Sequence, residues 1–335
     1  MSFRIGVDGG GTKTDCILLD DHGAVAACRT APGCNPSLVG PERARAVLVE
    51  ALEALVADAP RLPDMGGTPM PRGTGVPPVD KTGTRPDLIP TSGSSSANVD
   101  RVLLCMAGSQ SFWRETAAGL EGYGRVETMP DSLPVLELAT DGGPGLVVHA
   151  GTGSFVAARA PDGSVHYAGG LGWRFGDPAS GYDLGRRAIA LALLELQEWV
   201  PRTALADQLC AHTGLADYTA NSRWFYRGED ANATITAFAP RVVELAGQGC
   251  IPAQRVIAES LTDLSALVNA VCSRLFPAAT IHAPVPCGVS GALLNQSPCW
   301  FALCALAAMH AWPVQLRPVT ARPIEGVRRL LQKMA

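Results

Sequence analysis

Two short glycine turns are the residues of this sequence best suited to bind phosphate. The first is Asp8-Gly9-Gly10-Gly11-Thr12 and the second is Ala150-Gly151-Thr152-Gly153-Ser154, and each follows an apolar, strand-like run. Glycines lack the Cβ atoms that keep a ligand away, so the amides of such a turn can point at one group of oxygens. Neither turn matches the dinucleotide fingerprint or the P-loop. One such turn alone is equally compatible with a plain hairpin, but two in equivalent places predict a phosphate tail held from both sides.

Asp131 is the candidate for a group that activates an alcohol. A hydroxyl is a weak nucleophile at neutral pH, so phosphoryl transfer to it needs a carboxylate within hydrogen-bond reach. Asp131 follows a strand-like run over 125–129 and stands at the start of a helical pattern over 132–139, where the carboxylate of an α/β fold would face the cleft. Aspartate is also a favoured helix N-cap residue, so the position alone allows a structural role as well.

The elements that would position these residues occur twice along the chain. A strand, a Gly/Thr turn, a second strand, an Asp-x-Gly-type turn and a third strand run from Phe3 to Arg29, and the same order returns from Gly145. Helical patterns lie at 41–58, 111–120, 182–199, 235–248, 253–275 and 300–312. The repeat indicates an internal duplication, and alternating strands and helices favour an α/β fold. We therefore predict two lobes with a cleft between them.

The chain is long enough for two domains, and one segment stands apart from both. The chain has 335 residues, of which 47% are hydrophobic. This length exceeds the size at which a single hydrophobic core usually splits into two domains. Between residues 60 and 98, Pro, Gly, Ser and Thr dominate. Such a composition cannot bury enough apolar surface to offset its chain entropy. We predict that 60–98 is a disordered insertion without a catalytic role.

The overall composition argues against several classes of protein. The formal net charge is -4 and no long basic stretch occurs, so we expect no nucleic-acid partner. The ten cysteines are scattered without a C-x-x-C pair, which favours reduced core thiols over disulfides or a metal site. Met1 leads directly into a strand-like run, and the apolar stretch 300–312 is too short to span a bilayer, so that we expect a buried helix there. We expect a cytoplasmic protein with a small-molecule substrate and no membrane partner.

Three motifs together resemble the BadF/BadG/BcrA/BcrD-type ATPases, a family that includes N-acetylglucosamine and glucosamine kinases. They are the segments 8–14, 150–154 and 169–182, and the likeness covers nearly the whole chain outside the insertion. The resemblance implies a two-lobed actin-like ATPase fold, of the ribonuclease H-like kind, with duplicated domains and a central cleft. The implied lobes are 1–141 and 142–325, followed by a terminal helix over 326–335 that returns toward the first lobe.

The resemblance also implies an ATP site with a magnesium ion. The implied nucleotide contacts lie in the two turns and in a late glycine turn for the adenine, at Asp8, Gly10, Gly11, Thr12, Lys13, Gly151, Thr152, Gly153, Ser154 and Gly288. Asp8 would orient Mg²⁺ through water, since this ion keeps several waters and takes few carboxylates.

The sugar site implied by the resemblance surrounds Asp131, which matches the position of the family's base. The implied sugar contacts are Asn35, Asp131, Thr152, Gly170, Asp177 and Gly181. An Asn amide suits this role because it both donates to and accepts from hydroxyl groups. The implied reaction transfers the γ-phosphoryl group of ATP to the 6-hydroxyl of N-acetylglucosamine or glucosamine, and a homodimer is the implied assembly.

Three positions depart from the family pattern. Leu171 stands where kinases for N-acetylglucosamine often carry Trp, Pro178 replaces a Glu, and Cys287 replaces a glycine of the adenine turn. Losing an aromatic wall changes which sugar would be preferred, and Trp173 is a possible substitute for that wall. The sequence therefore leaves the sugar open.

Two other functions also stay open. One is an ATPase that activates a CoA-ester reductase or dehydratase through an iron–sulfur cluster, which requires cysteine ligands at cluster spacing. The second turn begins with Ala150 rather than cysteine. The other is a catalytically inactive sugar- or nucleotide-binding relative, against which the retention of Asp8, Asp131 and Asp177 argues.

Overall fold

The computed structural model describes residues 2–59, 98–227 and 230–334, so the predicted insertion lies outside the described residues except for Asn98. Its first sheet has the spatial order β3-β2-β1-β4-β5. The strands are β1 (Phe3–Gly9), β2 (Lys13–Leu19), β3 (Val25–Pro32), β4 (Val99–Met106) and β5 (Arg125–Pro130). β1 to β3 form the predicted antiparallel meander, and β4 and β5 extend the sheet in parallel with β1.

The second sheet repeats this arrangement. Its strands are β6 (Gly145–Ala150), β7 (Ser154–Arg159), β8 (Val165–Gly169), β9 (Val285–Ser290) and β10 (Val314–Pro318). They lie in the order β8-β7-β6-β9-β10, again with an antiparallel meander followed by two parallel strands. The order matches that of the first sheet strand for strand, as an internal duplication requires.

Helices connect the strands and cover both sheets. The first half contains α1 (Pro36–Val39), α2 (Pro41–Ala57), α3 (Gln110–Ala118) and α4 (Ser132–Thr140). The second half contains α5 (Gly181–Leu196), α6 (Ala204–Thr213), α7 (Tyr218–Phe225), α8 (Ala231–Thr236), α9 (Ala239–Gly247), α10 (Ile251–Leu275), α11 (Ser297–Met309) and α12 (Pro323–Lys333). The six helices between β8 and β9 build the largest core, on one face of the second sheet.

Two helix predictions need correction. The predicted helix over 235–248 is two helices, α8 and α9. Pro240 lies in the first turn of α9, where proline is tolerated, whereas in the interior of one continuous helix it would remove a backbone hydrogen bond. The predicted buried helix over 300–312 is α11, and it is only half buried. Leu303 and Leu306 face the core, whereas Phe301 is 68% exposed.

Among the described residues, one helix, α10, is long and apolar enough by length and composition to cross a membrane. Half of its most apolar window is buried inside the protein. It packs against α5, α9 and α11, and the buried core helix of a globular protein passes the same test of length and composition.

Two helices, α4 and α12, lie between the sheets and pack against each other. α4 covers one face of the second sheet with Val135, Leu136 and Ala139. α12 covers one face of the first sheet with Ile324, Val327 and Leu331. The two backbones approach closely, because a Cβ on Gly326 would lie 2.1 Å from the Pro134 carbonyl oxygen.

An ion cluster joins these two helices to the second sheet. Glu137 of α4 is 1% exposed, and it pairs with Lys333 of α12 and with Arg159 of β7. Removing one member of such a buried cluster leaves an uncompensated charge, which is strongly destabilising. The C-terminal helix is therefore fixed both to the first sheet and to the connection between the sheets.

Candidate active site

The first glycine turn joins β1 to β2 and leaves two backbone amides free. The Cys34 amide donates to the Gly10 carbonyl oxygen at 3.1 Å, which holds the turn against the chain that follows β3. A Cβ on Gly33 would lie 2.1 Å from the Gly11 carbonyl oxygen, so glycine is required at that contact. The amides of Gly11 and Thr12 donate to no acceptor within 2–59, 98–227 and 230–334. Gly11 is half-buried and Thr12 is exposed, so these two amides are accessible and available to an anion.

Asp8 is the ionisable group beside this turn. Burial, followed by the charge of Asp131, raises the pKa of Asp8 to about 7. Asp15, on the next strand, instead pairs with Lys13 at 2.7 Å and with Arg322 at 2.8 Å. Lys13 is thus engaged with Asp15, and the described residues form no ion pair with Asp8.

The second glycine turn joins β6 to β7 in the same way. The Gly151 amide donates to the Gly153 carbonyl oxygen at 2.9 Å, and the Gly181 amide donates to the Gly151 carbonyl oxygen at 2.8 Å. Thr152 and Gly153 have amides without an acceptor in the described part of the chain. The Ser154 hydroxyl is buried and also has no partner there. This turn therefore offers donors of the same kind as the first.

Asp177 lies directly beside the second turn. Its Oδ1 accepts from the Gly172 amide at 3.1 Å, and its Oδ2 lies 3.1 Å from the point where a Cβ on Gly153 would be. Burial raises the pKa of Asp177, against the lowering effect of the backbone amides that donate to it. Gly170 belongs to the same loop and donates to the Ser154 carbonyl oxygen at 3.0 Å. Asp177, Gly170 and the turn therefore form one continuous wall.

Asp131 lies at the same end of the first sheet as the first glycine turn. Gly9 pairs with Met106, which pairs with Pro130, so the end of β5 lies two strands from the turn, or about 10 Å. The Asp131 side chain makes no capping hydrogen bond to α4, so the alternative N-cap role is not observed. Burial raises the pKa of Asp131 to about 6, against the backbone amides of residues 131 and 132 that lower it.

Tyr167 is a residue of this region that sequence reasoning missed. It lies on β8, with 46% of its surface exposed. Burial raises the pKa of its hydroxyl, while the neighbouring Ser132 side chain lowers it and the charge of Asp131 raises it further. Tyr167 therefore reaches from the second lobe to the start of α4, beside Asp131.

The predicted substitute wall, Trp173, is engaged within its own loop. Its ring lies 5.0 Å from that of Tyr182, centroid to centroid, and the Arg174 guanidinium lies over it at 5.2 Å. Leu171, in the position where the family often has Trp, is 66% exposed. Tyr167, which is outside this loop, is therefore an aromatic group that lies close to Asp131.

Asn35 lies near the first turn and keeps part of its hydrogen-bonding capacity. Its Oδ1 accepts from the Ser37 amide at 3.0 Å and so caps the short helix α1. The same oxygen lies 2.6 Å from the point where a Cβ on Gly108 would be, at the end of β4. The side-chain NH₂ of Asn35 donates to no group in the described ranges, so it remains available for a ligand hydroxyl.

Gly288 does not lie in a turn, contrary to the sequence prediction. Strand β9 continues to Ser290, and Gly288 is buried inside it. A Cβ there would lie 2.4 Å from the Ala139 Cβ atom, so this glycine allows α4 to approach the sheet. The turn begins one residue after the strand, at Gly291, with φ of 96°.

Comparisons with known proteins agree with this geometry. Residues 5–281 match the BadF/BadG/BcrA/BcrD ATPase family. The N-acetyl-D-glucosamine kinase of Dictyostelium discoideum is 24% identical over 282 residues, which are 81% of this chain and 79% of that protein. Two solved structures assigned as N-acetylglucosamine kinases are similar throughout. That from Chromobacterium violaceum has a TM-score of 0.70 and 23% identity, covering 98% of this chain and 99% of its own. That from Porphyromonas gingivalis has a TM-score of 0.65 and 16% identity, covering 99% and 100%.

The two matching sheets, with a glycine turn on each side of a cleft, define a two-lobed actin-like ATPase fold. The family is equally clear, because its match extends over most of the chain. The chain belongs to the BadF/BadG/BcrA/BcrD ATPase family.

Proposed function

We propose that the protein is a cytoplasmic kinase that transfers the γ-phosphoryl group of ATP to the 6-hydroxyl of an amino sugar, N-acetylglucosamine or glucosamine. The observation that carries the proposal is the pair of glycine turns with free amides, one in each lobe, together with the half-buried carboxylate of Asp131. The kinase from Dictyostelium discoideum, to which most of the chain is similar, supports the substrate class. We further propose lobes at 1–141 and 142–325, with 326–335 as the end of the returning helix, and a homodimer.

The nucleotide's phosphates would be bound mainly by backbone amides. Gly10, Gly11 and Thr12 form the contact surface of the first lobe, and Thr152, Gly153 and Ser154 form that of the second, with Gly151 keeping the space above the turn open. Free amides aimed at one group of oxygens need no reorganisation when the phosphates bind. Because Lys13 pairs with Asp15, we assign it a weaker part in phosphate binding.

Asp8 fits the requirements of a magnesium ligand. Burial and the neighbouring charge of Asp131 raise its pKa to about 7, and a divalent cation favours the ionised form of such a group. The described residues contain no cluster of three or more His, Cys, Asp or Glu that could hold a metal by itself. This composition suits Mg²⁺, which is usually bound through one or two carboxylates, waters and substrate phosphates. The ion would neutralise charge on the phosphates.

Asp131 would orient the sugar hydroxyl and accept its proton. Its pKa of about 6 leaves it largely ionised at neutral pH, yet close enough to that pH for an effective general base. Asn35 would bind ring hydroxyls from the first lobe, and Asp177 from the second. Gly170, Thr152 and Gly181 would line the same pocket. Closure of the lobes would then exclude water from the transferring phosphoryl group.

The direct test incubates the protein with Mg-ATP and a panel of amino sugars and neutral hexoses, followed by mass spectrometry of the products. We expect a phosphosugar from N-acetylglucosamine or glucosamine. A 6-deoxy analogue of the reactive sugar is the matched control and should give no product. Absence of a phosphosugar from every member of the panel, with ATP bound, would contradict the proposed function.

A further inference from the structure

His149 lies beside the second glycine turn, on the face of the second sheet that α4 covers. It is the last residue but one of β6, and it pairs with Ser290 of β9 and with Phe155 of β7. α4 covers this face of the sheet, and its Ala139 end lies over Gly288, which pairs with the residue two positions before His149. The start of α4, which follows Asp131, lies over the same face of the sheet, beside Tyr167 of β8. The imidazole is partly exposed at this point.

The neighbours of His149 determine which ring nitrogen carries the proton. Its Nδ1 lies 2.9 Å from the Ser290 Oγ. Ser290 is 4% exposed, and its hydroxyl has no other acceptor in the part of the chain that is described. A buried hydroxyl proton without an acceptor is costly, so Ser290 donates to Nδ1. The imidazole proton is then on Nε2.

The orientation and the protonation state of the His149 ring are both fixed by its surroundings. It stacks on Phe155 with 4.8 Å between the centroids and 13° between the planes. Burial lowers the pKa of His149 to about 4, so the ring is neutral at physiological pH. His149 is therefore a neutral donor with a fixed Nε2–H group.

Two donors converge on the space above Gly151. The His149 Nε2 lies 3.5 Å from the point where a Cβ on Gly151 would be, and the Ala292 amide nitrogen lies 3.9 Å from it. This amide donates to no acceptor among the residues described. Glycine at 151 keeps the space open, beside the free amides of Thr152 and Gly153. Donors without acceptors around an open space favour an anion.

We propose that the His149 Nε2–H and the Ala292 amide bind a terminal phosphate of ATP and so form a third phosphate contact in addition to the two turns. The inference rests on the proposed function, in that the anion is the phosphate tail of the nucleotide. A hydrogen bond to a charged group is worth about ten- to hundredfold in affinity. His149 then fixes the phosphate on the face of the second sheet that α4 covers.

Two substitutions of His149 separate the donor from its structural surroundings. His149→Asn keeps an amide close to the Nδ1 position, where it can bond to Ser290, and removes the donor at Nε2. His149→Gln places an amide nitrogen close to the Nε2 position. Isothermal titration calorimetry with Mg-ATP and with AMP measures both variants against the wild type, and thermal melting controls for folding.

We expect His149→Asn to weaken Mg-ATP binding about ten- to hundredfold and AMP binding less than about twofold, and His149→Gln to restore most of the loss. Wild-type affinity of His149→Asn for Mg-ATP, or an equal loss for both nucleotides, would overturn the inference. Either result, with phosphosugar still formed by the wild type, leaves the proposed function intact. If His149→Asn does not fold, Ser290→Ala is used in its place. This change removes the hydrogen bond to Nδ1, so that the imidazole proton is no longer held on Nε2. It should weaken Mg-ATP selectively, and unchanged binding would overturn the inference.

Discussion

The two lobes present the same backbone shape to the cleft but different side-chain chemistry. In each, a glycine turn joins the first two strands of a five-stranded sheet with the same strand order. The first lobe adds two half-buried carboxylates, Asp8 and Asp131, whose pKa values are raised to about 7 and about 6, mainly by desolvation. The second lobe adds the neutral groups Ser154 and His149, and an aspartate, Asp177, that already accepts from backbone amides.

This difference separates the two tasks of a phosphotransferase. Binding the phosphate tail requires donors in fixed positions, which duplication of a turn supplies twice. Handling a metal ion and a proton requires carboxylates whose ionisation responds to the ligand, and one set of these is sufficient. Duplication therefore accounts for the shape of the cleft, whereas later divergence of side chains accounts for its chemistry.

The largest expected effect distinguishes the aspartates of the two lobes. Asp131→Asn removes the proton acceptor, so turnover should fall by a factor on the order of 10² to 10⁴ while nucleotide affinity stays nearly unchanged. Asp177→Asn, the matched change in the second lobe, should mainly raise KM for the sugar. Steady-state kinetics with phosphosugar detection measures both. A normal kcat in Asp131→Asn would place the base elsewhere.

A pair of glycine substitutions compares the packing of the two turns. In Gly33→Ala the new Cβ would lie 2.1 Å from the Gly11 carbonyl oxygen, which is a backbone clash. We expect a loss of roughly 2–4 kcal/mol in the free energy of unfolding. In Gly151→Ala the nearest atom is 3.5 Å away, an ordinary contact, so stability should change little while Mg-ATP affinity falls. Urea unfolding and calorimetry measure these effects, and wild-type stability of Gly33→Ala would contradict the packing described.

The titration of Asp8 in the first lobe should be visible in the pH dependence of the free energy of unfolding. Asp8 binds its proton more tightly in the folded protein, with a pKa of about 7 against an ordinary 3.8. The stability that Asp8 contributes is therefore present at low pH and is lost as the pH rises from about 4 to about 7. Asp8→Asn removes this loss, so the variant should gain roughly 1–3 kcal/mol over the nucleotide-free wild type between pH 5 and pH 8.

His149 also titrates, but it is present in both proteins and largely cancels in the comparison. Asp131 is coupled to Asp8 by charge, so the same pair of proteins in an Asp131→Asn background isolates the contribution of Asp8. Urea unfolding at several pH values gives the difference directly. If the difference in the free energy of unfolding stays constant with pH, the pKa of Asp8 is not raised in the folded protein.

The smallest expected effect concerns the loop that carries Asp177. Ala179 is 2% exposed and has φ of 65°, a conformation that favours glycine. Ala179→Gly should therefore raise the free energy of unfolding by about 0.5–1 kcal/mol. Ala188→Gly, in the middle of α5, is the matched control and should lower it by at least about 0.5–1 kcal/mol. A loss of stability in Ala179→Gly would mean that the backbone at this position carries no strain.

Much of the fold could be predicted from local patterns. The alternation of apolar residues and the two Gly/Thr turns define both meanders, and their repetition predicts the duplication. The predicted turn at Gly288 was wrong because a glycine inside a buried strand has the same local signal as a glycine in a turn. What distinguishes them is Ala139, packed against Gly288 from a distant part of the chain.

The missed residues of the site share this cause. Tyr167 is selected only by its contact with Ser132, and His149 only by Ser290, which is 141 positions away in the sequence. Neither residue has a neighbour in the sequence that marks it. The glycine turns, in contrast, are recognisable because all of their donors come from consecutive residues.

A crystal structure with bound ADP and Mg²⁺ tests the central claim most directly, because the claim concerns which atoms surround the phosphates. We expect phosphate oxygens at about 3 Å from the amides of Gly11 or Thr12 and also from those of Thr152 or Gly153, with the terminal phosphate directed toward Asp131. Phosphates that contact only one turn, or neither, would contradict the account.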